Sequence, residues 1–291
     1  MTNSNLSLTK KKKLFYIIYI IIFILLVINV MEFIIEPIGY VRPDYNKKEI
    51  YTILTKEELS DEDYKILFYQ TGLGKVAIDE LLKNKESGIS EILQFQDNFF
   101  KESNVYCEKI GIITSQESFI DDKGEKTYNF NLAPYKNGYV LVTKATHSLG
   151  WRHGHAAIIT DSEKGKTLEA IILGSNSQFQ NINKWRMYPS FIMLKLKDTH
   201  QDSLDKIADF AVNNLNNIPY SLTIGLTSSK NPKPEIIKGT QCSHLVWYPF
   251  MQFGYDIDSD KNWLVTPKDI ANSDLFEVVQ IFGVNPDDIW P

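Results

Sequence analysis

Residues 14–35 form the longest apolar stretch in the hydrophobic pattern of this sequence, with one charged residue, Glu32. The stretch from Leu14 to Met31 has no charged side chain and directly follows the four lysines Lys10–Lys13. A run of this length without a polar face is long enough to cross the ~30 Å hydrocarbon core of a bilayer as a helix. The pattern predicts an uncleaved transmembrane anchor over residues 14–35, with a cleaved signal peptide as the rival interpretation.

The basic residues on either side of this run predict its orientation. Lys10–Lys13 lie immediately before it, whereas Arg42, Lys47 and Lys48 lie further away on the other side and are mixed with acidic residues. Basic residues close to a spanning helix favour the cytoplasmic side. We therefore expect a single-pass protein of the cell membrane, with residues 1–13 as a cytoplasmic tail and the catalytic domain extracytoplasmic.

Residues 36–130 are predicted to form a linker and then a helical block. Pro37 and Gly39 are typical of a linker, and Ser60 begins a capping-box motif ahead of apolar residues that recur at helical intervals. A further helix is predicted over residues 89–100. No constellation of reactive side chains occurs in this block, so we expect it to pack against or space the following domain.

Residues 131–291 change from helical to β periodicity. Four short segments have the pattern of strands, namely 139–146, 155–160, 167–174 and 190–197. An amphipathic helix then begins at Asp202 or Ser203, and a more buried helix contains Cys242 and ends at Gly254. These elements predict the α+β class, with an antiparallel sheet followed by a cysteine-bearing helix.

Composition and charge exclude several classes of protein. Only Cys107 and Cys242 occur, too few for a disulfide scaffold or a cysteine-rich zinc module. Residues 36–291 contain 27 basic and 35 acidic residues, a net charge of −8. A domain this acidic, without a basic stripe, is not expected to bind nucleic acid.

Cys242 is the candidate nucleophile. It precedes the apolar helical run LVWYPF, so its sulfur is expected near a helix N-terminus, where partial positive charge stabilises a thiolate. The polar residues Thr240, Gln241 and Ser243 flank it. A buried structural cysteine and a disulfide to Cys107 are the alternative interpretations.

His155 is the candidate base because the strand pattern places a carboxylate near it. A hairpin centred near Ser162 sets His155 opposite Glu169, on the same face of the sheet, where the carboxylate would orient the imidazole. His153 and His155 also share one face of an extended chain, as metal ligands do. No third or fourth ligand lies nearby in sequence, so no metal is predicted.

Four short elements resemble those of the NlpC-type papain-like cell-wall hydrolases in a circularly permuted form. They are GHAAI (154–158), LEA (168–170), a helix ending in IPY (218–220) and QCSHLVW (241–247). The usual order of these hydrolases, with the cysteine helix before the histidine-bearing sheet, is reversed in this chain. The resemblance extends from about Asn137 to Phe282.

The resemblance implies a permuted papain-like domain and assigns roles to individual residues. Cys242 becomes the nucleophile, His155 the base and Glu169 the orienting third member. The commoner third member in NlpC-type hydrolases is a histidine, so Glu169 departs from the usual pattern. Tyr220 is expected near the oxyanion hole or substrate cleft, with the backbone N–H of Cys242 as a donor to the oxyanion.

Trp151 and His153 are expected at the mouth of the cleft, although an aromatic residue beside Arg152 is also typical of a packing pair. The combined prediction is a membrane-anchored extracytoplasmic cysteine hydrolase that cleaves an amide bond, for example in peptidoglycan stem peptides, without a cofactor. Its expected partners are the membrane, through residues 14–35, and peptidoglycan or a small acylated substrate. Two alternatives remain: an acyl-ester or lipid-amide hydrolase or acyltransferase on the same fold, and a catalytically silent wall-binding scaffold.

Overall fold

The computed structural model describes residues 12–27, 39–111, 114–148 and 151–291. Its α-helices are α1 (residues 12–27), α2 (Tyr51–Leu54), α3 (Asp61–Thr71), α4 (Lys75–Leu81), α5 (Lys85–Phe100), α6 (Gln201–Leu215), α7 (Cys242–Gln252) and α8 (Pro267–Ala271). Its strands are β1 (Asn104–Lys109), β2 (Thr114–Ile120), β3 (Val140–Thr143), β4 (Thr146–Ser148), β5 (His155–Asp161), β6 (Lys166–Glu169), β7 (Gln178–Asn181), β8 (Phe191–Leu196) and β9 (Phe276–Phe282). Short 3-10 helices occupy Ile182–Met187 and Pro234–Ile236.

The strands form two antiparallel sheets. The larger sheet has six strands in the order β7-β6-β5-β3-β8-β9, and the smaller has three in the order β1-β2-β4. Because helices and antiparallel strands are both present and largely segregated along the chain, the predicted α+β class is confirmed.

The predicted membrane-spanning helix over residues 14–35 is wrong. Within and just before the predicted span, the structure describes helix α1 over residues 12–27. Residues 28–35 of the predicted span lie outside the described residues. Among the residues that the structure describes, no helix combines the length and the apolar character needed to cross a bilayer.

The predicted single-pass membrane localisation depended on that helix and is therefore wrong as well. The cytoplasmic tail over residues 1–13, the extracytoplasmic domain and the membrane contact through residues 14–35 were all inferred from the spanning segment. Residues 1–11 lie outside the described residues.

Helix α7 packs against β5, an inner strand of the six-stranded sheet. Residues 242–250 of α7 are all buried, including Trp247, Tyr248 and Phe250. Each such large apolar side chain stabilises the fold by about 1.5–3 kcal/mol when it is fully buried. On the facing strand, six of the seven residues of β5 are buried. Burial of α7 and β5 therefore holds the backbone of both Cys242 and His155 in place.

The predicted helical block is helical only as far as Phe100, because β1 and β2 follow it. The helical part is joined to the last strand by backbone hydrogen bonds. The N–H of Gly74 donates to the carbonyl of Val279 at 2.9 Å, and the N–H of Ile281 donates to the carbonyl of Gly72 at 2.7 Å. A Cβ on Gly74 would lie 1.8 Å from the carbonyl oxygen of Val278, so this close approach requires glycine.

Two of the predicted strands have different bounds in the structure. The predicted strand 139–146 is divided into β3 and β4, because β4 leaves the larger sheet and pairs with β2 in the smaller one. The predicted strand 167–174 ends at Glu169, and residues 171–174 are exposed.

Candidate active site

Cys242 is the first residue of α7, so its thiol lies where backbone N–H groups point out of the helix. These first N–H groups have no intrahelical acceptor and carry a partial positive charge. Gln241 caps this end of the helix, because its side chain accepts a hydrogen bond from the N–H of Ser243 at 3.1 Å. The Cys242 side chain is 7% exposed, so access to the sulfur is narrow.

His155 begins β5 and connects the thiol to a carboxylate. Its Nε2 lies 2.7 Å from Oε2 of Glu169, and its imidazole is close enough to the thiol of Cys242 for each group to shift the pKa of the other. The thiol itself donates to Gln241 Oε1 at 3.6 Å. Because Nε2 faces the carboxylate, Nδ1 is the ring nitrogen available to the sulfur. The indole of Trp185 stacks on the imidazole, with ring centroids 5.5 Å apart and an interplanar angle of 14°. The ring of His155 is therefore held on one edge and one face.

Gly154 allows the chain to enter β5 at the required angle. Its φ is +69°, a conformation that favours glycine. A Cβ at this position would lie 2.4 Å from the carbonyl oxygen of Thr143 and 2.4 Å from the ring of Trp290. A larger residue at Gly154 would therefore displace the strand that carries His155.

Glu169 is fully buried at the end of β6 and both of its oxygens have partners. Oε2 contacts the imidazole of His155 and the ammonium of Lys184, the latter at 2.6 Å. Oε1 accepts hydrogen bonds from Thr167 Oγ1 at 2.6 Å and from Trp185 Nε1 at 3.1 Å. A buried carboxylate with this set of donors remains ionised and keeps a fixed orientation.

The register that brings His155 to Glu169 differs from the predicted one. In the structure Ile158 pairs with Leu168 and Ile159 with Thr167. Extending this register places residue 157, not His155, opposite Glu169, so the predicted pairing is wrong by two residues. A shift of two keeps both side chains on the same face, and they meet as diagonal neighbours.

The pKa of the Cys242 thiol reflects two opposing influences. Burial, the larger single influence, raises the pKa of the thiol. The hydrogen bond and charge of His155, together with the backbone N–H groups of Ala156 and Ser243, outweigh burial, and the resulting pKa is below the ordinary value. The surroundings therefore favour a thiolate.

The two partners of the thiol have shifted pKa values as well. Burial lowers the pKa of His155, but its hydrogen bonds with Cys242 and Glu169 and their charges raise that pKa to about 9. Burial raises the pKa of Glu169, but the hydrogen bond from His155 and the charge of Lys184 lower that pKa to about 2. At neutral pH these directions favour a thiolate, an imidazolium and a carboxylate side by side.

Tyr220, which the resemblance places near the oxyanion hole or substrate cleft, is close enough to Cys242 for the thiol to influence its pKa. It forms a parallel bridge with Thr240, in which the N–H of Ser221 donates to the carbonyl of Thr240 at 2.8 Å. Burial and the neighbouring Cys242 raise the pKa of Tyr220 above its ordinary value. Its phenol therefore keeps its proton and is able to act as a hydrogen-bond donor.

Trp151 and His153 contact each other rather than the three residues of the site. Their rings are 5.6 Å apart in an edge-to-face arrangement, and Trp151 is 61% exposed. Nε2 of His153 lies 3.1 Å from Ser148 Oγ, and Nδ1 lies 3.0 Å from the carbonyl oxygen of Gly154. Burial lowers the pKa of His153. His153 and His155 thus have separate hydrogen-bond partners.

Sequence reasoning missed three residues that contact Glu169. Lys184 and Trp185 come from the 3-10 helix over Ile182–Met187, and Thr167 precedes Glu169 by two in β6. The signal for Thr167 was available, because alternate residues of a strand share a face. Lys184 and Trp185 carry no motif, and only tertiary packing brings them to the carboxylate.

No known family model matches this chain, and no curated protein is significantly similar to it. Among solved structures, the chain is similar to the crystal structure of metalloprotein yiiX from Escherichia coli O157:H7, DUF1105. The two share 12% sequence identity with a TM-score of 0.39, over 50% of this chain and 96% of the yiiX chain.

Proposed function

We propose that this protein is a cysteine hydrolase that cleaves an amide bond through Cys242, His155 and Glu169. The observation that carries the proposal is the hydrogen bond of the His155 imidazole to a fully buried carboxylate, in a position where the imidazole and the Cys242 thiol shift each other's pKa. This is the arrangement of nucleophile, base and orienting group that nucleophilic catalysis requires. The sequence resemblance to permuted NlpC-type hydrolases supports the same roles.

In the proposed reaction, the thiolate of Cys242 attacks the carbonyl carbon of the substrate amide. Negative charge develops on the carbonyl oxygen, and the backbone N–H of Cys242 at the start of α7 and the phenol of Tyr220 are the donors we assign to it. The imidazolium of His155 gives its proton to the leaving amine, and the C–N bond breaks. A water molecule, deprotonated by His155, then hydrolyses the thioester and restores the thiol site.

The substrate we propose is the amide bond of a peptidoglycan stem peptide, and this choice follows from the sequence resemblance. A second candidate, an acyl ester or lipid amide, is favoured by apolar side chains near Tyr220. Leu173 and Leu222 are 64% and 58% exposed. They lie on loops joined by the hydrogen bond from the N–H of Tyr220 to the carbonyl of Ser175.

The test is a comparison of hydrolysis by the purified full chain and by its Cys242→Ser variant. The substrates are stem-peptide fragments of peptidoglycan and acyl esters of increasing chain length. We expect cleavage of the peptide fragments that the variant lacks. Cleavage of the esters alone would replace the amide proposal with the second candidate. No Cys242-dependent cleavage of either class would support the catalytically silent wall-binding alternative.

A further inference from the structure

Three carboxylates converge outside the candidate active site, in the segment after α7. One oxygen each of Asp258, Asp260 and Asp269 lies within 4.8 Å of the others. Asp258 is fully buried, and its Oδ1 has no hydrogen-bond partner in the part of the chain that the structure describes. A buried carboxylate oxygen without a partner costs free energy unless a ligand satisfies it.

The cluster has more negative charge than its lysine neutralises. Lys230 Nζ lies 2.5 Å from the other oxygen of Asp258 and also contacts the backbone carbonyl of Asn262. The cluster therefore contains one ammonium group and three carboxylate groups. Asp260 and Asp269 also accept hydrogen bonds, from Asn262 and Thr266 respectively, but these donors carry no charge. With all three carboxylates ionised, an excess of two negative charges remains, which matches a divalent cation, and hard cations prefer oxygen ligands.

The spacing of these residues matches a calcium-binding loop of twelve residues. Counted from Asp258, Asp260 is at position 3, Asn262 at position 5 and Asp269 at position 12, all positions at which EF-hand loops carry ligands. The loop departs from the EF-hand pattern in having Trp263 in place of the glycine at position 6 and aspartate in place of glutamate at position 12. In this chain the left-handed residue of the loop is Lys261, at φ +55°.

We propose that Asp258, Asp260 and Asp269 bind one Ca²⁺ ion, with Oδ1 of Asp258 as the buried ligand. Asp260 is exposed, which gives the ion a path from solvent. Ca²⁺ suits the cluster better than Mg²⁺ because it accepts irregular oxygen geometry and gives up its water more readily. The proposal stands on the acidic cluster alone and does not depend on the hydrolase activity.

The loop that would hold the ion also contacts the residues on both sides of Cys242. The carbonyl of Val265 accepts hydrogen bonds from Gln241 Nε2 at 2.9 Å and from Ser243 Oγ at 2.7 Å. Calcium binding would therefore fix the loop against the N-terminal end of α7. Its expected role is structural, with an effect on the order of the segment that carries the thiol.

The experiment measures Tb³⁺ and Ca²⁺ binding by the full chain after treatment with a chelator. Trp263 adjoins Asn262 in the loop, so excitation of tryptophan is expected to sensitise luminescence from bound Tb³⁺, and Ca²⁺ is expected to displace the Tb³⁺. In parallel, Ca²⁺ at about 100 times its dissociation constant should raise the thermal midpoint by about 5–10 °C. Both readouts are independent of catalysis.

The variants Asp258→Asn and Asp260→Asn should each weaken binding by about tenfold or more, because each removes a charged ligand. Asp260 is exposed, so its variant is expected to fold. The exposed Asp274 lies outside the loop, and Asp274→Asn is the matched control that should bind as the unmodified chain does. No Ca²⁺-dependent signal, or equal affinity in all three variants, would overturn the proposal. Binding that appears only in Lys230→Met would also overturn it, because lysine would then be the cation of the cluster.

Discussion

Cys107 lies on strand β1 with its sulfur 3.4 Å from Nε2 of His147, whereas Cys242 lies at the start of α7 against His155. Both regions thus place a thiol beside an imidazole. Cys107 is exposed and stands within a strand, where the peptide dipoles alternate. Cys242 is buried at a helix N-terminus, where the dipoles add.

Contact between cysteine and histidine does not by itself define a nucleophile. In the second region a fully buried carboxylate, Glu169, holds the histidine, and Lys184 and Trp185 hold the carboxylate. The thiol pKa is lowered there in spite of burial. Charge, orientation and backbone donors together create the reactive environment.

Replacing each thiol in turn should give the largest difference in hydrolytic activity between the two regions. We expect Cys242→Ser to lower hydrolysis at least ~10³-fold, because loss of the nucleophile in a catalytic triad leaves only the residual catalysis of the binding site. Cys107→Ser should retain activity. Alkylation by iodoacetamide at pH 6, followed by peptide mass spectrometry, should modify Cys242 first. Preferential modification of Cys107 would mean that the nucleophile is assigned to the wrong region.

Removal of the carboxylate charge should have the next largest effect. Glu169→Gln should lower the pKa of His155 and raise the pKa of the Cys242 thiol, with a loss of roughly 10²–10⁴-fold in kcat/KM. The control is Glu117→Gln, since Glu117 is also a buried glutamate but pairs with Arg152 in the smaller sheet. Equal losses in the two variants would show a general effect of removing a buried charge.

The free energy of unfolding at acidic pH should depend on the ionisation of the same carboxylate. Because the pKa of Glu169 is lowered to about 2, its contribution to the free energy of unfolding is complete above its ordinary pKa of 4.5 and is lost as the pH falls from 4.5 to 2. We expect a loss on the order of a few kcal/mol, seen by urea unfolding across this range. Glu169→Gln should lack this pH dependence, and an unchanged slope in that variant would contradict the prediction.

Lys184 should give the smallest and most specific effect. Its ammonium shares Oε2 of Glu169 with His155 and competes with the imidazolium for the carboxylate. In Lys184→Met we expect kcat/KM at pH 7 to fall about tenfold or less and the alkaline limb of its pH profile, set by the His155 pKa of about 9, to move upward. Lys184→Arg should restore the position of the limb. A limb that stays in place in Lys184→Met would indicate a structural role only.

The fold class could be predicted from the sequence because the change from helical to β periodicity near residue 131 is a local signal. The small sheet was harder to predict, since β2 has the polar sequence TSQESFI and no alternating pattern. The hairpin register was missed by two residues because the turn was centred at Ser162, whereas the pairing of Asp161 with Lys166 places its centre between Glu163 and Lys164. The spanning helix was predicted from hydropathy alone, and no helix among the described residues has the length and apolar character needed to cross a bilayer.

The contact between His155 and Glu169 could be predicted because strand periodicity fixes which side chains share a face, whereas only the sequence resemblance implied that Cys242 joins them. The residues that contact Glu169 from outside its own strand, Lys184 and Trp185, could not be predicted. Lys184 and Trp185 reach it from an irregular connection between β7 and β8, and no spacing rule links that connection to β6. Tertiary packing alone determines their contribution.

The hydrogen bonds between residues 72–74 and β9 have a practical consequence for fragments of this protein. Strand β9 is the last strand of the six-stranded sheet, and Gly72 and Gly74 cover its outer backbone groups. A fragment that starts at residue 131 would expose these donors and acceptors as an open sheet edge. Open edges recruit strands from other molecules. Such a fragment is therefore expected to aggregate, even though it contains every residue of the candidate active site.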